Sequence, residues 1–154
     1  MIRVQGVDFD PGAEIDKLLH GHTAVGGVAS FIGVVRDDPH GPTLRAMTLE
    51  HYPGMTERML ASIEQEANRR WSLSASLIIH RYGRMVPGDR IVLVVTAAPH
   101  RQAALESCQF LIDWLKTKAP FWKCEETEEG EHWVEAQVRD DVAAAKWQTE
   151  HSAN

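Results

Sequence analysis

Two β-branched stretches, Leu73 to Tyr82 and Arg90 to Ala97, stand either side of the turn-forming VPGD, and a long helical pattern begins almost at once after the second. Residues branched at Cβ fit a pleated surface, and Pro-Gly-Asp favours chain reversal, so two joined strands are expected here. From His100 to Lys118, the residues Ala104, Cys108, Leu111, Ile112 and Leu115 form one apolar stripe, and Pro120 ends the helix that carries it. Strand pairs feeding a long amphipathic helix restrict the chain to layers of sheet and helix.

The other segments fit that scheme. Ile2 to Val7 reads as a short strand, and Asp10 with Pro11 marks the start of a short helix, AEIDKLLH, which Gly21 stops. Thr23 to Arg36 suits a strand in which Gly26 and Gly27 permit a bulge or a close backbone approach. DDPHGP is a loop, Leu44 to His51 is a strand, and Pro53 opens a helix with Met55, Met59, Leu60, Ile63 and Ala67 on one face. Two short strands, Phe121 to Glu125 and His132 to Ala136, flank an EEGE turn, and a frayed acidic helix is expected to close the chain. The expected fold class is α+β, a single domain over residues 1–154 with a mixed or antiparallel sheet, packed helices and an acidic tail at about 139–154.

Composition narrows the partners. The net charge of −6 is unevenly spread: from Cys124 onward nine acids face two bases, whereas residues 1–123 hold thirteen acids and fourteen bases. Such a chain lacks the basic face that nucleic acid requires, although a few local bases could hold a small anion. No run of eighteen apolar residues and no signal-peptide pattern occurs, so a cytoplasmic protein without membrane contact is expected. Cys108 and Cys124 are expected to be free thiols, one of them buried in a helix. Trp114, Trp122 and Trp133 are expected in the core.

Three constellations could carry chemistry. Lys116 falls in the last turn of the long helix and Lys123 on the extended segment beyond Pro120, so chain reversal can bring both to one cleft. Lys118 lies about 200° around the helix from Lys116 and should point elsewhere. Lysines at a helix carboxyl end also stabilise its dipole, so the pair alone does not establish a site. His100 and Arg101 open the same helix, where free N–H groups and a guanidinium fork suit an anion, as they also suit a plain solvent-exposed start. Arg36 ends the glycine-containing strand, available to a ligand or paired with Asp37 or Asp38. Phosphate-loop, dinucleotide, zinc-protease and serine-hydrolase motifs are all missing, and His20 with His22 has no partners that would suggest a metal. On these residues a catalytic protein and a non-catalytic module that docks a tail or senses an anionic metabolite both remain open, with a nucleotide enzyme disfavoured.

Longer matches point further. LEHYPGMTE (49–57), GVVR (33–36), HRYG with PGD (80–89), HR (100–101) and above all LKTKAPFWK (115–123) resemble the large, catalytic subunit of molybdopterin synthase, a likeness running from about Thr23 to Trp147. The resemblance implies an α+β homodimer whose two halves are each capped by a small ubiquitin-like sulfur carrier. It implies a sulfurtransferase acting on cyclic pyranopterin monophosphate, with the carrier's thiocarboxylate as sulfur source, no other cofactor and no metal. By matching position, Lys116 and Lys123 fall on the family's catalytic, substrate-binding lysines, and Arg36, His100 and Arg101 on residues that bind the phosphate or pterin. Cys124 and Pro99 depart from the family's usual residues, a basic side chain and a smaller one respectively.

Overall fold

In the computed structural model of the chain, residues 1–134 and 138–148 are described, without the side chains of residues 138 and 139. The first half contains β1 (Ile2–Gln5), α1 (Pro11–Leu19), β2 (Gly27–Val34), β3 (Leu44–His51), α2 (Met55–Trp71) and β4 (Ala75–Arg81). The second half contains β5 (Gly83–Met85), β6 (Arg90–Ala98), α3 (Arg101–Lys118), β7 (Phe121–Thr127), β8 (Gly130–Val134) and α4 (Val138–Ala145). The α+β expectation holds, with the strands divided between two four-stranded sheets, β1-β4-β6-β2 and β5-β3-β7-β8. The first is mixed, since β1 runs parallel to β4 and its other pairs are antiparallel; the second is antiparallel throughout.

The first sheet supplies the core because β4 and β6 are covered on both faces. Leu77, Ile79, Leu93 and Val95 meet Phe9, with Ile15 and Leu18 of α1 alongside. Ile78, Val92 and Val94 point the other way, into Leu60 and Ile63 of α2 and Phe110, Leu111 and Leu115 of α3. Each such side chain taken from water contributes roughly 1.5 to 3 kcal/mol, so this three-layer arrangement is the main source of stability. Cys108 is buried in α3, as expected for one of the two thiols, and both cysteines are free.

Several boundaries differ for identifiable reasons. Asp10 caps α1 by accepting from the Ala13 N–H at 3.1 Å, where the sequence placed it. β2 is shorter than Thr23 to Arg36 because its ladder with β6 begins at Gly27 opposite Ala98 and ends at Val34 opposite Arg90. α2 begins at Met55 because Gly54 precedes it with φ +85° and donates its N–H to Glu57 at 2.6 Å. The strands around VPGD do pair, but three residues between them, β5, leave to join β3 in the second sheet. The expected terminal helix is no loose tail: Trp147 is buried against Phe110 and Trp71, and its indole N–H donates to Asp113 at 2.8 Å. Residues 135–137 and 149–154, which include the end of the expected last strand and of the acidic tail, lie outside the described residues.

Trp122 and Trp133 are not core residues; they are 43% and 59% exposed, whereas Trp114 packs partly buried against the main core. Alternation along β7 puts Trp122 on the face opposite Phe121 and Lys123, where the Tyr52 ring lies tilted at 60° to it with centroids 4.9 Å apart.

Candidate active site

β7 pairs with β3 directly after the turn that follows α3, and this brings the end of the helix back onto the second sheet. The Thr56 hydroxyl of α2 donates to the Pro120 carbonyl at 3.3 Å and ties down the turn itself. Lys116 and Lys123 consequently line one cavity of about 210 Å³, whose wall also includes Met47, Leu49, Leu115, Phe121 and Val134. Lys118 points away, its ammonium 4.5 Å above the Trp114 ring. The structure thus separates the three neighbouring lysines of the sequence as the helical angle requires.

Lys123 is 39% exposed and lies 3.9 Å from Glu125, a distance and exposure at which an ion pair holds the side chain only weakly. Asp140 of α4 reaches the same cavity, a contribution that the sequence did not announce. His80 also lines it and was missed as well, because it sits inside an apolar strand run and reads there as filler. Its ring is buried and stacked on Phe121 at 3.7 Å with 18° between planes, and its Nδ1 lies 2.9 Å from the Arg81 carbonyl. Desolvation pulls the imidazole pKa down to about 4, helped by the charges of Lys116 and His51 and opposed by the Arg81 carbonyl, so the ring is neutral at physiological pH.

Cys124 follows Lys123 on β7 without sharing its chemistry. Partial burial, then the carboxylates of Glu131, Glu126 and Glu50, raise its thiol above the ordinary value, so it stays protonated at neutral pH.

Arg36 sits just past the end of β2, exposed, at the end of the β2–β6 ladder where Val34 meets Arg90. It is not paired with its acidic neighbours: Asp37 accepts from the Leu44 N–H at 3.0 Å and Asp38 from the His40 N–H at 2.9 Å. Because α3 returns antiparallel to β6, this is also the end of the layer at which Lys116 emerges.

His100 and Arg101 lie at the opposite end. His100 is the N-cap of α3 in extended conformation, makes no side-chain cap bond, and is followed by a first turn without acids. Both residues are exposed. The start of β2 presses against this turn: a methyl group on Gly26 would lie 2.1 Å from the Pro99 carbonyl oxygen, and one on Gly27 would lie 3.1 Å from the Arg101 Cα. The expected close approach is therefore what the two glycines serve, while the ladder's irregularity falls later, between Gly33 and Val34. From His100 to Lys116 the helix runs roughly 24 Å. One chain thus gathers Arg36, Lys116 and Lys123 at one end and His100 with Arg101 at the other.

Comparison with known proteins agrees in sequence and in shape. Residues 4–118 match the family described as MoaE protein. A molybdopterin synthase catalytic subunit from Ralstonia nicotianae is 53% identical over 146 residues, covering 95% of this chain and 83% of the relative. The solved structure of a molybdopterin biosynthesis MoaE protein from Burkholderia ambifaria superposes with a TM-score of 0.83 at 49% identity, over 96% of this chain and 97% of that one. A molybdopterin synthase structure from Staphylococcus aureus gives a TM-score of 0.81 at 28% identity, over 86% and 96% of the two chains. With both sequence and architecture matched over nearly the whole length, the chain belongs to the MoaE protein family.

Proposed function

We propose that this chain is the catalytic subunit of a molybdopterin synthase, which transfers two sulfurs from the thiocarboxylated C-terminus of a small ubiquitin-like carrier subunit to cyclic pyranopterin monophosphate, making molybdopterin. The observation that carries the reading is the convergence of Lys116 and Lys123 on one cavity in a chain of this family. Thiocarboxylate and phosphate are both anions, so a protein of net charge −6 must concentrate positive charge locally to hold them together. Lys123 neutralises the carrier's tail, and Lys116 assists proton transfer or stabilises the charge that develops as sulfur attacks. Arg36, His100 and Arg101 fix the phosphate. The sulfur arrives with the carrier, so the scheme needs no cofactor and no metal, and two free thiols suit the reducing cytoplasm.

All five bases can serve one site only if two chains build it. β2 is an edge strand with Val28, Phe31, Ile32 and Val34 each 39% to 46% exposed, an apolar strip that suits a homodimer. Under a twofold axis, antiparallel apposition of the two β2 strands sets the start of one against the end of the other. His100 and Arg101 flank that start, and Arg36 flanks that end. The phosphate site would thus be shared, with Arg36 and the lysines from one protomer and His100 and Arg101 from its partner.

The direct test is conversion of the pterin phosphate by the purified chain supplied with thiocarboxylated carrier. Dithiolene product that requires Lys116 supports the reading. Tight binding of the carrier without conversion in a single turnover would reduce the chain to a docking module.

A further inference from the structure

Among the described residues, the buried polar side chains are hydroxyls except for one, His80. β4 places it on the same face as Ile78, which packs into the main core, at the point where α3 ends and Lys116 emerges. A hydrophobic residue would stack on Phe121 equally well, and a buried imidazole costs desolvation, so packing alone gives no reason for a histidine here. Its polar atoms have defined roles. The Arg81 carbonyl can only accept, so Nδ1 carries the hydrogen and donates across 2.9 Å. Nε2 is then an acceptor, on a ring that forms part of the wall of the lysine cavity.

We propose that His80 is a positioning residue for sulfur transfer, its Nε2 accepting a hydrogen bond from the Lys116 ammonium and so fixing where that charge meets the incoming tail. The inference rests on the assignment of Lys116 to the reaction. The charged groups around the ring favour the arrangement: Lys116 comes from α3, Lys123 from β7, His51 from β3 and Asp140 from α4, all near one small space. Arg81 is turned elsewhere, donating to the carbonyls of Gly6 and Arg90. A neutral acceptor can hold one lysine in place without cancelling the positive charge that two anionic reactants require; a carboxylate at position 80 would cancel it. The stack on Phe121 fixes the ring plane, and the Nδ1 bond fixes the tautomer, so Nε2 is held in one direction before any reactant arrives.

The test uses the full chain without carrier or substrate. Trace acylation of lysines across a range of pH, read peptide by peptide by mass spectrometry, reports how readily each ammonium loses its proton, with Lys118 as the internal reference. His80→Phe keeps a ring on Phe121 and removes the acceptor; Lys116 should then react several-fold faster near neutrality while Lys118 is unchanged. His80→Gln carries an oxygen close to the Nε2 position and should return Lys116 toward wild-type reactivity. Unaltered Lys116 reactivity in a folded His80→Phe protein overturns the proposal. Should that variant not fold, imidazole nitrogen shifts in the wild-type protein decide: an Nδ1–H tautomer whose Nε2 signal moves in Lys116→Ala supports the contact, and an Nε2–H tautomer or an unmoved signal refutes it. In turnover, His80→Phe should lower kcat about tenfold with KM for the pterin unchanged. If Lys116→Ala turned over normally, the catalytic assignment would fail, while the labelling result would still stand or fall by itself.

Discussion

The two ends of α3 solve different problems. At its carboxyl end the helix runs into Pro120 and returns as β7, so Lys116 and Lys123 face a cavity walled by Leu115, Phe121 and the neutral ring of His80. At its amino end His100 and Arg101 stand exposed over a turn pressed against Gly26 and Gly27. The first is a partly enclosed pocket in which burial, and after it neighbouring charge, changes the chemistry of a lining group, as the depressed His80 pKa shows. The second leaves backbone N–H groups and a guanidinium facing solvent, an arrangement that suits holding an anion such as the proposed phosphate without altering its reactivity. Under the proposed roles, reaction and recognition sit at opposite ends of one rigid helix, and the separation, roughly 24 Å, is too large for one chain to close.

The largest effect should come from the enclosed end. Lys116→Ala is expected to lower turnover about a thousandfold, the scale for loss of a preorganised charge in a transition state, with folding unchanged because the residue is exposed. Product formation under single-turnover conditions measures it, and a loss below tenfold would place the chemistry elsewhere. Next comes a stability effect confined to the same end. The pKa of His80 is about 4 in the fold against 6.5 ordinarily, so between those values the unfolded chain binds a proton that the folded chain refuses. Stability therefore falls as pH drops from about 6.5 to about 4, by roughly 3 kcal/mol, and this contribution is level below that. Asp8 and Glu66, held down to about 2 chiefly by hydrogen bonds from Arg90 and Arg69, lose their share from their ordinary 3.8 and 4.5 downward, a window that overlaps the first only at its foot. Urea midpoints at a series of pH values should show the upper window in the wild type and its absence in His80→Phe.

How much of this was legible in the sequence follows from range. Leu44 to His51 appeared with the boundaries expected, and α3 within a residue of them, because period and terminators are local. That Lys116 and Lys123 meet was also legible, since only a helix end and one turn separate them. The division into two sheets was not, because β3 meets β7 some seventy residues away and nothing in either segment names the other. Trp122 and Trp133 misled for a related reason: alternation tells which residues share a face of a strand but not whether a helix covers that face. His80 was hidden by its surroundings, since one imidazole in ASLIIHR does not disturb a strand pattern. The distance between the two ends of α3 could have been computed from the sequence, and it already implies that five convergent bases need a second copy.

The open end should respond more mildly. Arg101→Ala is expected to weaken the pterin phosphate about tenfold while leaving kcat at saturation almost intact, because the lost fork binds ground state and transition state alike. Equal losses in kcat and kcat/KM would mean instead that the cradle takes part in the reaction.

The smallest expected signal discriminates best. Suppose Lys116→Ala protein is mixed with protein carrying both His100→Ala and Arg101→Ala, exchanged under mild denaturant and assayed at low substrate. If each site takes its lysines from one protomer and its cradle from the partner, a mixed dimer contains one site with every lesion and one with none. Random exchange makes half the dimers mixed, and one site in two is intact in each, so activity should recover to about one quarter of wild type from two nearly inactive parents. If both ends of α3 served a site within their own chain, every site would carry a lesion and mixing would yield only the average of the parents. No change in folding or carrier affinity can imitate that recovery, because neither parent has a complete site to stabilise. Ile32→Asp in both proteins supplies the control: a charge on the exposed β2 strip should prevent pairing, and the recovery should vanish with it.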